Sequence, residues 1–133
     1  MASVEYSLAI EVDRNFEDVV ATTREALAAE GFGVLTEIDV RATMKAKLDV
    51  DRDEYLILGA CNPPLAHRAL EAEPELGVLL PCNVVIYRTG GKTRVSAVAA
   101  EQMLGMVGND DLAPVATEVA QRLDRVLAAV ASA

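Results

Sequence analysis

Two short runs constrain this chain more than anything else in it. Glu54-Tyr55-Leu56-Ile57-Leu58-Gly59-Ala60-Cys61 and Val84-Val85-Ile86-Tyr87 are apolar at nearly every position. Successive side chains of a strand point to opposite faces, so a strand that is apolar on both faces has to be covered on both. Any fold for this chain must therefore supply cover to two sides of the middle of its sheet.

The flanking strands are of a different kind. Val4, Tyr6, Leu8, Ile10 and Val12 alternate with Glu5, Ser7, Ala9 and Glu11, a period of two that predicts one strand over Val4–Val12 with a single buried face. Phe32 to Ile38 sets Phe32, Val34, Thr36 and Ile38 on one side and Gly33, Leu35 and Glu37 on the other. Gly90-Gly91 is a hairpin signal, and Thr93 to Ala99 returns beside Val84–Tyr87 as the second arm of a central hairpin.

Helices fill the gaps. Asn15 offers an N-cap, and Phe16, Val19, Val20, Thr23, Ala26 and Leu27 recur at helical spacing until Gly31. Asp39 to Leu48 predicts a short, partly exposed helix, with Asp39 at its positive end and Lys45 and Lys47 at its negative end. Asp49 to Asp53 reads as a charged loop. Asn62 caps a third helix that starts at Pro63, where the missing N–H costs nothing, and runs to about Ala72 before Pro74. Glu101 to Gly108 is a loop or single turn. Asp110-Asp111 then opens a final helix with Leu112, Ala116, Val119, Leu123, Val126, Leu127 and Val130 as its apolar stripe.

This order predicts an α+β fold, one domain over residues 1–133, with two long helices on one face of a curved, mostly antiparallel sheet. The helices cover one face only. The economical cover for the other is a second copy of the chain, so a homodimer is expected.

Composition narrows the partners. Twenty-one acidic against 12 basic residues give a formal charge of −9, which argues against nucleic acid and anionic membrane surfaces as partners. No run approaches the roughly 20 apolar residues of a membrane span, and Met1 to Glu5 has no leader character, so the expected location is cytoplasmic. In that compartment the two cysteines are expected as reduced thiols.

Those cysteines head the only unusual motifs. Each is followed by asparagine and neighboured by proline, in Gly59-Ala60-Cys61-Asn62-Pro63-Pro64 and Leu80-Pro81-Cys82-Asn83. In an antiparallel sheet the end of one strand and the start of the next lie together, which makes the Cys-Asn units neighbours. Cys61 also precedes a helix N-terminus, whose partial positive charge favours thiolate. Cys61 is thus the candidate catalytic nucleophile or ligand and Cys82 its resolving thiol or second ligand. Asn62 and Asn83 are candidate amide donors to a bound anion, and Glu37, just before Asp39 and Arg41, is a candidate carboxylate on the same cleft. A metal would need more, and only His67, with the thioethers of Met103 or Met106, is available to join the thiols around zinc or copper(I). The alternative for every one of these residues is structural: buried thiols, ordinary caps and a solvated histidine. No CxxC, Ser-His-Asp, phosphate-loop or HExxH pattern is present, and no cofactor is indicated.

Three segments together carry a resemblance: Gly31-Phe32-Gly33-Val34-Leu35-Thr36-Glu37-Ile38-Asp39-Val40, Leu58-Gly59-Ala60-Cys61-Asn62-Pro63-Pro64-Leu65-Ala66 and Leu79-Leu80-Pro81-Cys82-Asn83-Val84. In these the chain resembles domain-of-unknown-function family 302, small bacterial and archaeal proteins. The resemblance implies a fold like the TATA-box-binding protein, strand-helix-four strands-helix, and homodimers. It implies no reaction. The motif positions it marks are Phe32, Glu37, Cys61, Asn62, Pro63, Pro64, Pro81, Cys82 and Asn83.

Three functions follow from these residues: a binding module whose cleft at the Cys-Asn segments takes a small molecule or ion, a thiol-dependent redox or sulfur-transfer enzyme using Cys61 and Cys82, or a structural dimer with no site chemistry.

Overall fold

The computed structural model describes residues 3–133 of the chain. Its strands are β1 (Ser3–Val4), β2 (Ser7–Val12), β3 (Gly33–Asp39), β4 (Tyr55–Cys61), β5 (Cys82–Thr89) and β6 (Lys92–Val98). Helices α1 (Phe16–Ala29), α2 (Val40–Leu48), α3 (Pro63–Ala72), α4 (Ala100–Gly105) and α5 (Ala113–Ser132) alternate with them, and 3-10 turns occupy Pro74–Leu79 and Asp110–Leu112. The strands form one sheet in the order β1-β2-β6-β5-β4-β3, antiparallel at every pairing.

The length of α1 follows from that order. The chain leaves β2 near one edge and must re-enter as β3 at the other, four strand spacings away, or roughly 19 Å at about 4.8 Å each. The 14 residues of α1 supply about 21 Å at 1.5 Å per residue. Asn15 starts α1: its Oδ1 accepts from the Asp18 N–H at 2.9 Å while its Nδ2 donates to Asp18 Oδ2. The helix packs on β5 and β3, α5 packs on β2 and β6, and the two helices pack on each other. Val19, Thr23, Ala26 and Leu27 of α1 and the whole expected stripe of α5, from Leu112 to Val130, are buried.

Cross-strand register decides what each sheet face carries. Ile10↔Val95, Val95↔Ile86 and Ile86↔Leu56 run across the sheet as one row, with Leu8↔Ala97, Ala97↔Val84 and Val84↔Leu58 as the next. These rows meet the helices and form the core. The intervening positions, Tyr55, Ile57, Val85, Tyr87 and Val98, face away from the helices and are half-buried, with the Tyr55 and Tyr87 rings stacked at 4.9 Å. The two long helices thus cover one face, and the other is open.

At two places the chain departs from its alternation pattern. Val4–Val12 is not one strand: the chain turns at Glu5-Tyr6 and β1 folds back on β2. The reason lies in β6, whose pairing with β2 ends at Ser7↔Val98 and a last Ala99 N–H to Tyr6 carbonyl bond of 2.9 Å, so no partner continues beyond it. In β3 a bulge between Val34 and Thr36 adds a residue against β4. An extra residue flips every later side chain to the other face. Val34 therefore stays on the helix side with Ala60, whereas Thr36 and Ile38 move to the open side opposite Gly59 and Ile57. Phe32, expected in this strand, precedes it and is buried.

Candidate functional site

β4 and β5 are interior neighbours, and their register sets Ala60 opposite Cys82 and Gly59 opposite Asn83. The last residue of β4 and the first of β5 are thus at the same end of the sheet. Into that end opens a cavity of about 310 Å³. Its sheet wall is Ala60, Cys61 and Cys82. The α3 side is Leu65, Ala66, Ala69 and Leu70, and the far side is Leu76 and Leu80 with Leu104, Val115 and Val119 of α4 and α5. Phe32 and Leu35 close the flank beside β3.

The cavity exists because α3 presents small side chains where larger ones would fill the space. Leu65 and Ala69 form its buried stripe, one turn apart, and Ala66 stands half-buried beside them. α3 is held at this angle by Asn62. The Asn62 Oδ1 accepts from the Leu65 N–H at 3.4 Å, which caps α3, and its Nδ2 donates to the Glu30 carbonyl at 3.3 Å, which ties α3 to the end of α1. Arg122 of α5 donates to the same carbonyl at 2.9 Å. Asn62 is only 8% exposed and has both ends of its amide engaged within the protein, so it builds the wall of the cavity.

The two thiols differ. Both are free. Cys82 is buried, and burial, reinforced by the neighbouring Cys61, pushes its thiol up to about 11 from an ordinary 9.0, so it is protonated at neutral pH. Cys61 is half-buried. Neither forms a hydrogen bond with the described residues. No carboxylate, imidazole or ammonium group lines the cavity among the described residues.

The other candidate residues lie elsewhere. Asn83 follows Cys82 in an extended strand and so faces the opposite way, exposed, in a groove of the open sheet face with Tyr55, Val85 and Tyr87. Glu37 is on the helix side of β3 because of the bulge, and it meets Arg24 of α1 at 2.8 Å in an exposed ion pair outside the cavity. His67 is 75% exposed on the outer face of α3, 4.0 Å from Glu71. Among the described residues no three His, Cys, Asp or Glu side chains cluster as a metal requires, so Cys61, Cys82 and His67 do not make a ligand set. Met106 is exposed and Met103 packs at the margin of the core. The structure brings Cys61, Asn62 and Cys82 to one cavity and places Glu37, Asn83 and the metal candidate His67 elsewhere. What sequence reasoning passed over was the small-residue face of α3, readable as Ala66 and Ala69 at positions where a core helix ordinarily carries Leu.

A sheet of antiparallel strands backed on one face by two long helices, with a cavity at the ends of its central strands, defines an α+β protein in which two strands, a long helix, four strands interrupted by short helices and a second long helix follow in order. The chain belongs to the family described as Domain of unknown function DUF302, which matches residues 8–130. A crystal structure of an uncharacterized conserved DUF302 protein from Bacillus stearothermophilus superposes with a TM-score of 0.88 at 28% sequence identity, covering 95% of this chain and 98% of that one. No curated protein matches the sequence. No helix among the described residues is long and apolar enough to cross a membrane.

Proposed function

We propose that this chain is a small-molecule binding module whose ligand is apolar and enters the cavity beside Cys61 and Cys82. One observation carries the reading: about 310 Å³ of space is lined by aliphatic and aromatic side chains, two thiols and the internally bonded Asn62, with no charged group to hold an ion. Ligand sites are commonly concave, mostly apolar and of a few hundred Å³. Of the two ligand classes the sequence left open, an uncharged molecule fits and a bare ion does not. The test is displacement of an environment-sensitive fluorophore, N-phenyl-1-naphthylamine, by decanol. Saturable binding that is lost in Ala66→Phe, which fills the cavity from a half-buried position, supports the reading. Binding unchanged in that variant sinks it.

We further propose that the working form is a homodimer joined through the open sheet face, in the cytoplasm. The half-buried row of Tyr55, Ile57, Val85 and Tyr87, with exposed Tyr6 nearby, supports this, because an apolar sheet face of this kind ordinarily finds cover. Sedimentation at micromolar concentration should give twice the monomer mass, and Val85→Lys should return it to monomer. A monomeric parent chain counts against the dimer.

The thiol-dependent redox or sulfur-transfer reading is favoured by the two free cysteines lining one cavity. With Cys82 held protonated, Cys61 would have to attack. Selective alkylation of Cys61 by iodoacetamide below pH 7, together with an activity lost in Cys61→Ser, would establish it.

A further inference from the structure

Apolar binding leaves one feature of the cavity without a purpose, the placing of its thiols. Leu76, Leu104 and Val115 are buried at its floor, whereas Leu35 and Leu70 are exposed on its outer side. Cys82 belongs with the floor at 9% exposure, and Cys61 lines the same cavity half-buried. Of the two thiols, Cys61 is the more accessible to a reagent arriving from solution. The space beside it is lined by apolar side chains with no charged group, and the Asn62 amide in its wall is engaged at both ends within the protein.

We propose that Cys61 is a site of S-acylation, with the acyl chain housed in the cavity. The proposal rests on the apolar-ligand reading above and names its ligand class. A thioester is neutral and needs no buried counter-charge, and it places a carbon chain where the apolar lining is. A 150 Å³ protein cavity accepts benzene, so the 310 Å³ here holds about a dozen carbon atoms, the size of a medium-length acyl chain.

The reaction is thioester exchange. The Cys61 sulfur attacks the carbonyl carbon of a donor acyl thioester, the new S–C bond forms, and the donor's own S–C bond breaks. The departing thiolate takes up the proton that Cys61 gives away. Nothing is oxidised or reduced. Acyl exchange between two thiols is nearly balanced by itself, and burial of the chain sets its direction, favouring the adduct by roughly fourfold for each methylene enclosed. Cys82 is excluded as the acceptor by its enclosure and by the protonation that enclosure enforces. The chain's formal charge of −9 disfavours an anionic carrier, so an uncharged donor is the suitable probe.

The experiment incubates the full chain with the decanoyl thioester of N-acetylcysteamine and follows the intact mass. The expected result is one decanoyl group per chain, released by neutral hydroxylamine and mapped by peptide analysis to Cys61. The acetyl thioester should label at least tenfold less, and Cys61→Ser not at all. Ala66→Phe should lower decanoyl labelling about tenfold and leave acetyl labelling unchanged. Peptide mapping of the parent adduct decides the site even where a variant folds poorly. An adduct on Cys82, equal labelling by both donors, or no adduct overturns the proposal. Decanol displacement of the fluorophore, run in parallel on the same protein, separates the two readings. Displacement without an adduct removes acylation and leaves apolar binding standing, whereas absence of both removes both.

Discussion

Replacing Gly59 by alanine tests the geometry that shapes the cavity mouth. Gly59 lies in β4 with no positive φ, so alanine meets no backbone strain there, and removing a glycine from a strand should itself stabilise by roughly 0.5–1 kcal/mol. The obstacle is space. A Cβ at residue 59 would overlap Thr36 Oγ1 of β3 and lie 2.8 Å from Pro81 Cγ. One neighbour is a short side chain on a paired strand and the other a ring closed on its own backbone, so neither can swing away as the end of a lysine could. Overpacking of this kind costs about 1–3 kcal/mol, so the net expectation for Gly59→Ala is a loss of roughly 1–2 kcal/mol. For a chain of 133 residues that corresponds to a fall in Tm of about 3–8 °C. Urea unfolding with an unchanged slope is the assay. Thr36→Ala in the same background removes the Oγ1 overlap and leaves the Pro81 contact, so the double variant should recover part of the loss, a coupling measured by a double-mutant cycle. Since Pro81 also lines the cavity, Gly59→Ala should weaken fluorophore binding as well. Stability equal to or above that of the parent would show that β3, Pro81 and β4 are not as close as described.

The thiol of Cys82 carries a pH signature. Its raised value means that the folded chain keeps a proton the unfolded chain gives up, so stability should fall as pH rises from about 9.0 to about 11, by roughly 2–3 kcal/mol at 1.36 kcal/mol per unit. In Cys82→Ala that part of the alkaline loss should vanish, and an identical alkaline profile would contradict it. At pH 8 iodoacetamide should modify Cys61 well before Cys82 in folded protein and both in urea; early labelling of Cys82 would mean that its enclosure is wrong. Thr93 is fully buried, donating to the Arg14 carbonyl at 2.8 Å and accepting from Arg88 at 2.8 Å. Thr93→Val should therefore cost about 1–3 kcal/mol in urea unfolding despite its matched shape, and a neutral result would show that the two partners re-pair elsewhere.

What the residues disclosed ahead of the structure depended on how local the cause was. The stripe of α5 and the capped start of α1 follow from 3.6-residue spacing and one side-chain hydrogen bond, and both are read within a few residues. The double apolarity of β4 and β5 likewise announces interior strands, and the count of two long helices announces that only one face is covered. The β3 bulge is the contrary case. Phe32 to Ile38 alternates well enough to pass for a regular strand, and only the register against β4 shows the inserted residue that sends Thr36 and Ile38 to one face and Glu37 towards Arg24. β1 is similar, since its turn back is set by where β6 ends, some ninety residues away in the chain. At the site, antiparallel order brings the two cysteine segments to one end of the sheet, but the cavity between them is assembled from β4, β5, α3, α4 and α5 and from what α3 lacks. The one local sign of that empty volume is the pair of small residues Ala66 and Ala69 on α3.

The two Cys-Asn units look equivalent as letters and are not equivalent as structure. In the first, Asn62 leaves the strand to cap α3, so it stays buried on the side of the cavity with Cys61. In the second, Cys82 and Asn83 are consecutive residues of β5, and the period of two sends them to opposite faces. Leu80, Pro81 and Cys82 therefore face the cavity while Asn83, the next residue, lines the groove on the open sheet face. Gly59 is paired with Asn83 and packed beneath Pro81 and Thr36, with no side chain of its own to absorb a shift. Pro81 and Cys82 line the cavity and the next residue, Asn83, lines the groove on the other surface, so one short segment borders both the proposed ligand cavity and the proposed dimer face. Linkage requires that any effect of ligand on association be matched by an equal effect of association on ligand affinity.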